Sequence, residues 1–281
     1  MRTVKAVVAI VAILLLNGCQ SGESDPPGRE GPTPTATLGF TQLLPLEGTR
    51  HALLRITNTS ESAIDVTSVA IEWPGYPRGI PSPESATIAA DQTLDMRLLL
   101  PDPVCAAPPG DEPVVGVVET ELGVIRGDLE PTGTTYVRRL WQTQCDDLVV
   151  RNALAISYSS SWHVVGDGVD ARALGDIVLR RRDGDQPIEV ENVDGSVLHG
   201  LRLPGPTTLA PGEAVARIPL EITPGNRCDE HARGQATAPF DFLMRLAIGD
   251  RPGIPFRIEL PLTATKVASQ ALDVACLARA G

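Results

Sequence analysis

An internal repeat constrains the fold of this chain more than any other feature of the sequence. A further cysteine follows each copy of the repeat, at Cys145 and at Cys276. Because these features recur in the same order, the sequence predicts a duplication with its boundary near Asp146-Asp147. Three pairs of segments correspond in order: Ile64–Val69 with Ile188–Val193, Trp73-Pro74-Gly75 with Leu203-Pro204-Gly205, and Ile88–Cys105 with Leu209–Cys228.

Short apolar runs separated by turn residues make up both halves. The chain has 26 glycines and 25 prolines but only 4% aromatic residues, a composition typical of short strands joined by turns. With no amphipathic helix expected, we predict an all-β fold of two tandem immunoglobulin-like β-sandwich domains, 38–146 and 147–281. The strands predicted in the first half are Leu38–Leu46, His51–Thr57, Ala63–Trp73, Thr93–Leu100, Val114–Thr120, Gly123–Asp128 and Thr134–Gln144.

Four of the five cysteines belong to the repeat. An even number of cysteines in an exported protein indicates disulfides, and the repeat selects the pairs Cys105–Cys145 and Cys228–Cys276. Zinc is the competing interpretation, but no two cysteines have the close spacing of a zinc knuckle. We therefore predict no metal and no cofactor.

The fifth cysteine ends a hydrophobic leader. Arg2 and Lys5 precede the apolar run 6–16, which is shorter than the roughly 20 residues of a membrane-spanning helix. The following Leu16-Asn17-Gly18-Cys19 resembles the bacterial lipobox. The resemblance implies a signal peptide over residues 1–18, cleavage before Cys19, and a diacylglycerol (palmitate-containing) anchor on its thiol that would hold the mature chain stably on a membrane. The alternative is an ordinary cleaved signal followed by a chance cysteine.

Residues 19–37 are rich in Ser, Gly, Pro and acidic residues, and we predict a disordered tether. The chain carries a net charge of −11, and removing the leader with Arg2 and Lys5 makes the charge more negative by two. Because phosphate binding needs clustered basic residues, the charge argues against nucleic acid as a partner. It also argues against docking on anionic lipid without the anchor. We expect the protein on the outer face of the cytoplasmic membrane.

The search for catalytic chemistry finds no nucleophile elbow of the form Gly-x-Ser-x-Gly and no Ser-x-x-Lys motif. Two long connections in the second half remain: 157–175, which contains Ser159–Ser161, Trp162 and His163, and 228–238, which contains His231. Cys228 near His231 suggests a thiolate–imidazole pair only if that cysteine is not in a disulfide. We predict no catalytic residues, and Trp162, His163 and His231 are the candidate ligand-binding residues.

Two weaker ionic sites stay open. Hard cations such as calcium favour clustered carboxylates, although Asp-Gly pairs are also ordinary turn residues. The acidic residues concerned are Asp167, Asp170, Asp176, Asp183 and Asp185. The single basic run, Arg180-Arg181-Arg182, is expected at a strand end, with an anionic ligand as the alternative role.

A second resemblance concerns the second half. Arg227-Cys228-Asp229-Glu230-His231-Ala232 resembles a motif of uncharacterised actinobacterial secreted lipoproteins with tandem immunoglobulin-like domains, in which proline usually occupies the position of Glu230. The resemblance implies the fold and an envelope location, and it implies no activity.

These observations favour a non-enzymatic lipoprotein with a structural or interaction role in the cell envelope, whose partner is another envelope protein or a cell-wall polymer. The alternative is a ligand- or metal-binding accessory protein, or an enzyme, whose site lies in the long connections of the second half. That alternative predicts a concave pocket where Trp162, His163 and acidic side chains converge.

Overall fold

The computed structural model describes residues 34–43, 46, 49–77, 82, 84–106, 108–205, 207–236 and 238–280. The predicted signal peptide, the lipidation candidate Cys19 and residues 19–33 of the predicted tether lie outside the described residues. The chain from Pro34 to Gly281 forms one compact unit. Its first strand begins at Ala36, so the tether prediction is wrong for residues 36 and 37, which pair with Asn58 and Thr57.

The first half contains two antiparallel sheets formed by seven strands. One sheet has the order β1-β2-β5 and the other the order β4-β3-β6-β7. Their bounds are β1 (Ala36–Thr41), β2 (His51–Asn58), β3 (Ile64–Glu72), β4 (Ala86–Ile88), β5 (Thr93–Leu99), β6 (Val115–Thr120) and β7 (Gly123–Asp128).

The second half repeats this arrangement and adds two short strands. One sheet has the order β12-β14-β10-β8, with β9 also pairing with β10, and the other has the order β13-β11-β15-β16. The bounds are β8 (Leu154–Tyr158), β9 (His163–Val165), β10 (Arg172–Arg181), β11 (Ile188–Asp194), β12 (His199–Arg202), β13 (Thr208–Leu209), β14 (Val215–Pro224), β15 (Asp241–Ile248) and β16 (Arg251–Glu259).

Both halves share one topology, which confirms the predicted pair of tandem immunoglobulin-like sandwiches. In antibody constant domains the fourth strand belongs to the same sheet as the first, second and fifth. Here the fourth strand pairs with the third instead, because β4 joins β3 and β13 joins β11. The register of β3 shifts between Val66 and Ser68, and that of β11 shifts between Val190 and Asn192. The same irregularity two residues into equivalent strands supports the duplication.

A helix follows the last strand of each sandwich, contrary to the all-strand expectation. They are α1 (Pro131–Ala153) and α3 (Leu262–Ala280), and a short α2 (Glu230–Gln235) lies between β14 and β15. The prediction of a strand over Thr134–Gln144 was therefore wrong, and the predicted boundary at Asp146-Asp147 falls inside α1. Among the described residues no helix combines the length and the hydropathy needed to cross a bilayer.

The two predicted disulfides are present, but each ends in a helix rather than in a last strand. Cys105, after β5, bonds to Cys145 on α1, and Cys228, after β14, bonds to Cys276 on α3. Cys145 comes 14 residues after Pro131, and Cys276 comes 14 residues after Leu262. Each bridge thus fastens the helix of its sandwich to the loop that follows β5 in the first half or its equivalent, β14, in the second.

Helix α1 contributes to both hydrophobic cores. Val137, Leu140 and Trp141 pack into the core of the first sandwich, whereas Val150 near the helix end packs into that of the second. The helix lies so close to β1 that a Cβ at Gly133 would be 2.8 Å from the backbone nitrogen of Phe40. Because one helix is buried in two cores, it positions the first strand of the second sandwich.

Candidate functional site

Trp162 packs on its own sandwich. Its ring lies over Gly175 of β10, where a Cβ would be 2.4 Å from the nearest ring carbon. The indole nitrogen donates a hydrogen bond to the carbonyl of Ser159 at 2.9 Å. The surrounding stretch 157–175, expected to be one long connection, contains β9 and a 3₁₀ turn at Gly168–Asp170 as well as the ends of β8 and β10. Trp162 therefore covers β10 at Gly175.

The other two candidate residues lie on different elements. His163 begins β9 opposite Leu174, and its side chain is exposed. His231 is exposed on α2. Two surface cavities, one on each sandwich, are lined by other residues. The structure thus gives Trp162 a packing role and does not bring it together with His163 and His231 in either cavity.

The Arg227–Ala232 motif builds a loop and a helix start. Asp229 caps α2 by accepting a hydrogen bond from the backbone of Ala232 at 2.8 Å. Arg227 pairs with the same carboxylate at 2.8 Å, and both contacts hold the pKa of Asp229 below its ordinary value. Cys228 is in a disulfide and Ala232 is buried. Because Cys228 carries no thiol, the thiolate–imidazole interpretation with His231 is excluded.

The basic run ends β10, as predicted, and its middle residue ties loops together. Arg181 donates hydrogen bonds to the carbonyls of Gln186 at 2.7 Å, Ala210 at 2.9 Å and Glu213 at 3.0 Å. Arg182 bonds to the carbonyl of Arg151 at 3.0 Å, and Arg180 is exposed. Arg181 is therefore committed to the fold, whereas Arg182 makes one backbone contact and remains exposed like Arg180.

Two of the candidate calcium ligands are turn residues. Asp183 accepts a hydrogen bond from the backbone of Gly184 at 2.8 Å, and Asp185 accepts one from the backbone of Gly212. Asp176 lies 3.9 Å from Arg217. Within the described ranges, no three His, Cys, Asp or Glu side chains are grouped closely enough to hold a metal ion.

A groove of about 200 Å³ opens between the edge strands of the second sandwich. One wall is β8, the outer strand of its sheet, and the other is β16, the outer strand of the facing sheet. Its lining combines apolar and charged residues: Arg151, Leu154, Ala155, Ile156, Tyr158, Arg182, Phe256, Arg257, Ile258 and Glu259. No pattern in the sequence predicted this groove.

The corresponding edge of the first sandwich is closed by backbone contacts. There Leu38 of β1 forms a parallel bridge with Leu129, and the backbone of Glu130 donates to the Leu38 carbonyl at 2.9 Å. Two residues separate the last strand from the helix in both halves, so Pro261 occupies the position of Glu130. Proline has no N–H to donate. The second sandwich therefore lacks the donor that closes the first.

Arginine side chains line the groove of this acidic chain. Arg151, Arg182 and Arg257 line it, against the single carboxylate of Glu259. Arg151 pairs with Asp147 at 2.5 Å and Arg257 with Asp241 at 2.6 Å. For Arg182 the described residues offer no carboxylate partner within ion-pair distance.

Tyr158 is one of the residues that line the groove. Its burial and, secondarily, the negative charge of Glu259 raise its pKa above the ordinary value, so the hydroxyl stays protonated at neutral pH. It can then donate a hydrogen bond to an acceptor in the groove.

A second depression, of about 370 Å³, lies on the first sandwich beside Glu72, Trp73, Tyr76 and Arg126. Trp73 and Tyr76 are only 5% and 3% exposed, because their rings pack against one another and Trp73 meets Trp141 edge-to-face. Arg126 pairs with Glu72. The aromatic faces are thus used within the core and are not presented to a ligand.

No protein-family model and no curated protein matches this sequence. Among solved structures, the chain is similar to a red sea bream transglutaminase (10% identity, TM-score 0.25, 80% of this chain and 31% of that one) and to the BSP domain of a biofilm-associated protein (10%, 0.22, 81% and 59%). It is also similar to a Porphyromonas gingivalis protein of unknown function (15%, 0.21, 80% and 96%). The chain thus spans about a third and about three fifths of the first two structures.

Proposed function

We propose that this chain is a lipid-anchored, non-enzymatic interaction protein of the cell envelope, held on the outer face of the cytoplasmic membrane through Cys19. One observation carries the proposal. All four cysteines of the described residues are used in two disulfides, so Cys19 is the cysteine left over, and it directly follows an apolar leader. Structural disulfides persist outside the reducing cytoplasm, which supports export.

The interaction role is supported by the fate of the candidate reactive groups. Cys228 is oxidised to a disulfide, Trp162 packs on Gly175, and Arg181 holds loops together. What the second sandwich offers to a partner is an open sheet edge beside arginines. These features fit binding of another envelope component better than turnover of a substrate.

The anchor is tested by feeding cells an alkyne-tagged fatty acid and comparing the natural chain with Cys19→Ala. We expect label and membrane recovery for the natural chain, and neither for the variant. A matched Ser21→Ala variant should behave like the natural chain. Equal labelling of the natural chain and the Cys19→Ala variant would refute the anchor.

The interaction role is tested separately by crosslinking intact cells and capturing the protein. We expect the same envelope component in repeated captures with the natural chain, and a reduced yield with the unanchored Cys19→Ala variant. Capture of no component above background would contradict the role.

A further inference from the structure

We propose that β8 of the second sandwich binds an extended acidic peptide segment of an envelope partner, which adds to the sheet as a further strand in the groove beside β16. This inference rests on the proposed interaction role and names the partner's chemistry.

The outer edge of β8 presents unpaired backbone groups. Ala153 accepts a bond from Arg182 and Ser159 donates one to Asp176, so the odd-numbered residues face β10. In an antiparallel pair the residues alternate, which turns the N–H and C=O of Leu154, Ile156 and Tyr158 outward. The Leu154 N–H caps α1 by donating to the Val150 carbonyl. Among the described residues, the N–H and C=O groups of Ile156 and Tyr158 have no backbone partner on this outer side. Such an edge is a template for an added strand.

The strand β16, which forms the opposite wall of the groove, is less suited to accept an added strand. β16 carries Pro252 and Pro255, and each proline removes a backbone donor from this edge strand. β8 contains no proline and no charged residue. The edge of β8 is therefore free of proline, whereas the edge of β16 is interrupted by proline just before the stretch 256–259 that lines the groove.

In the first sandwich the edge of β1, the equivalent of β8, is occupied by the chain itself. There the chain segment at Leu129-Glu130 supplies the bridging backbone next to β1. In the second sandwich Pro261 prevents this closure, and the space of about 200 Å³ lies over Ile156, Tyr158 and Phe256. An extended peptide would replace the missing backbone and place every second side chain over this apolar floor.

Charge selects an acidic peptide. The whole chain carries −11, so an acidic partner is repelled by most of its surface. At the groove rim Arg151 and Arg257 are already paired with Asp147 and Asp241, which leaves the charge of Arg182 for a partner. Arg182, without a carboxylate partner among the described residues, is the residue we expect to pair with the peptide. A backbone-dependent site of this kind favours a peptide over an anionic glycan, which offers no ladder of N–H and C=O groups.

The test uses the purified full chain in detergent and a fluorescein-labelled peptide of five Glu-Val repeats with blocked ends, followed by anisotropy. We expect saturable binding that weakens with added salt. Peptides with Lys in place of Glu, or with N-methylated valines, should not bind. No binding of the Glu-Val peptide, or equal binding of either control peptide, would overturn the inference.

Two matched pairs of variants locate the site. Arg182→Glu should weaken binding about tenfold, as loss of a charge pair at an interface does, whereas Arg180→Glu changes the net charge equally outside the groove and should change binding little. Ile156→Pro removes an outward N–H and should abolish binding, while Ile156→Val keeps it. If Ile156→Pro fails to fold, the N-methylated peptide tests the same hydrogen bonds from the other partner. Arg180→Glu weakening binding as much as Arg182→Glu would refute this placement.

A competition experiment decides between ligand classes. The competitor is polygalacturonate, an anionic glycan. If it displaces the peptide, depends on Arg182 to the same extent and binds the Ile156→Pro variant as well as the natural chain, the ligand is a glycan. That result would refute strand addition. Fatty-acid labelling at Cys19 and envelope capture do not depend on the peptide. Failure of the groove therefore leaves those results intact, whereas failure of the proposed function would appear in them directly.

Discussion

Asp146 of α1 and Arg251 of β16 form an ion pair that joins the helix of the first sandwich to the second. The Asp146 side chain is only 8% exposed, and Gln142 also donates to it at 2.9 Å. A carboxylate buried at this junction needs its partner, because removal of one member leaves an uncompensated charge. The pair lies at the boundary that the repeat predicted, and it helps to fix the second sandwich on α1.

We expect Arg251→Met to lower the free energy of unfolding by about 1–3 kcal/mol, the usual cost of an unsatisfied buried polar group. Urea unfolding measures the change. The matched control is Arg245→Met, since Arg245 pairs with Asp194 at 3.8 Å with both side chains about half exposed, and exposed pairs contribute little. Equal effects of the two substitutions would contradict a special role for the Asp146–Arg251 pair.

Each disulfide should stabilise its own sandwich by constraining the unfolded chain. The sequence separations are 40 residues for Cys105–Cys145 and 48 for Cys228–Cys276. In the chain-entropy estimate, each bridge contributes about 4 kcal/mol. Replacing Cys228 and Cys276 together by alanine should destabilise the second sandwich. The amides of β10 and β14 should then exchange their hydrogens faster, and this exchange rate is the quantity to measure. Faster exchange confined to β2 and β5 would show that the wrong sandwich had been weakened.

The strand positions followed from the sequence because buried and exposed side chains alternate along them. In β3 the buried Ile64 and Val66 alternate with exposed Asp65 and Thr67, and the same pattern recurs in β11. The repeat also selected the correct cysteine pairs, since equivalent cysteines must occupy equivalent places in duplicated folds. Both inferences were possible because alternation within a strand and the matching of short repeated segments can be read directly from the sequence.

Helix α1 was missed because its first half has the composition of a strand. Threonine, tyrosine and valine are frequent between Pro131 and Val137, and these residues favour strands. Burial recurs instead at Gly133, Val137 and Leu140–Trp141, the spacing of a helix face. Pro131 at the first helical position was an available signal for the helix start. Packing on two cores outweighs the weak local preference here.

The groove beside β8 depends on a relation that is visible only after the elements are placed. Pro261 matters because it takes the position of Glu130. This equivalence is found by counting residues back from the start of each helix, and α1 was predicted to be a strand. The candidate Trp162 was chosen for its residue type, but its ring covers Gly175, a close approach that requires knowledge of both strands. Sites built between distant segments therefore escaped sequence reasoning.

Arg181 should be required for stability in a way that lysine cannot replace. Its guanidinium donates to carbonyls in two loops, among them Gln186 and Ala210. Lysine carries the charge but lacks the planar fork of donors. We expect Arg181→Lys to cost about 1.5–3 kcal/mol of unfolding free energy, the range for lost hydrogen bonds to a charged group. Arg180→Lys, at an exposed neighbour, should cost almost nothing, and an equal loss in both variants would contradict this role.

Buried His199 should make the second sandwich sensitive to acid. Its side chain is 2% exposed, stacks on Phe240 at 4.9 Å between ring centroids, and has no hydrogen-bond partner among the described residues at either ring nitrogen. Burial lowers its pKa from 6.5 to about 4. The unfolded chain therefore binds a proton more readily, so stability is complete above pH 6.5 and is lost as the pH falls toward 4.

The size of that loss follows from the pKa difference, which corresponds to about 3 kcal/mol at full protonation of the unfolded state. Urea unfolding of the natural chain and of His199→Phe should be compared at several pH values between 7 and 4. Phenylalanine keeps an aromatic ring beside Phe240 and Phe242 but cannot be protonated, so the stability of this variant should fall less steeply over the range. Parallel pH profiles of the two proteins would mean that His199 is not the group whose protonation weakens the fold.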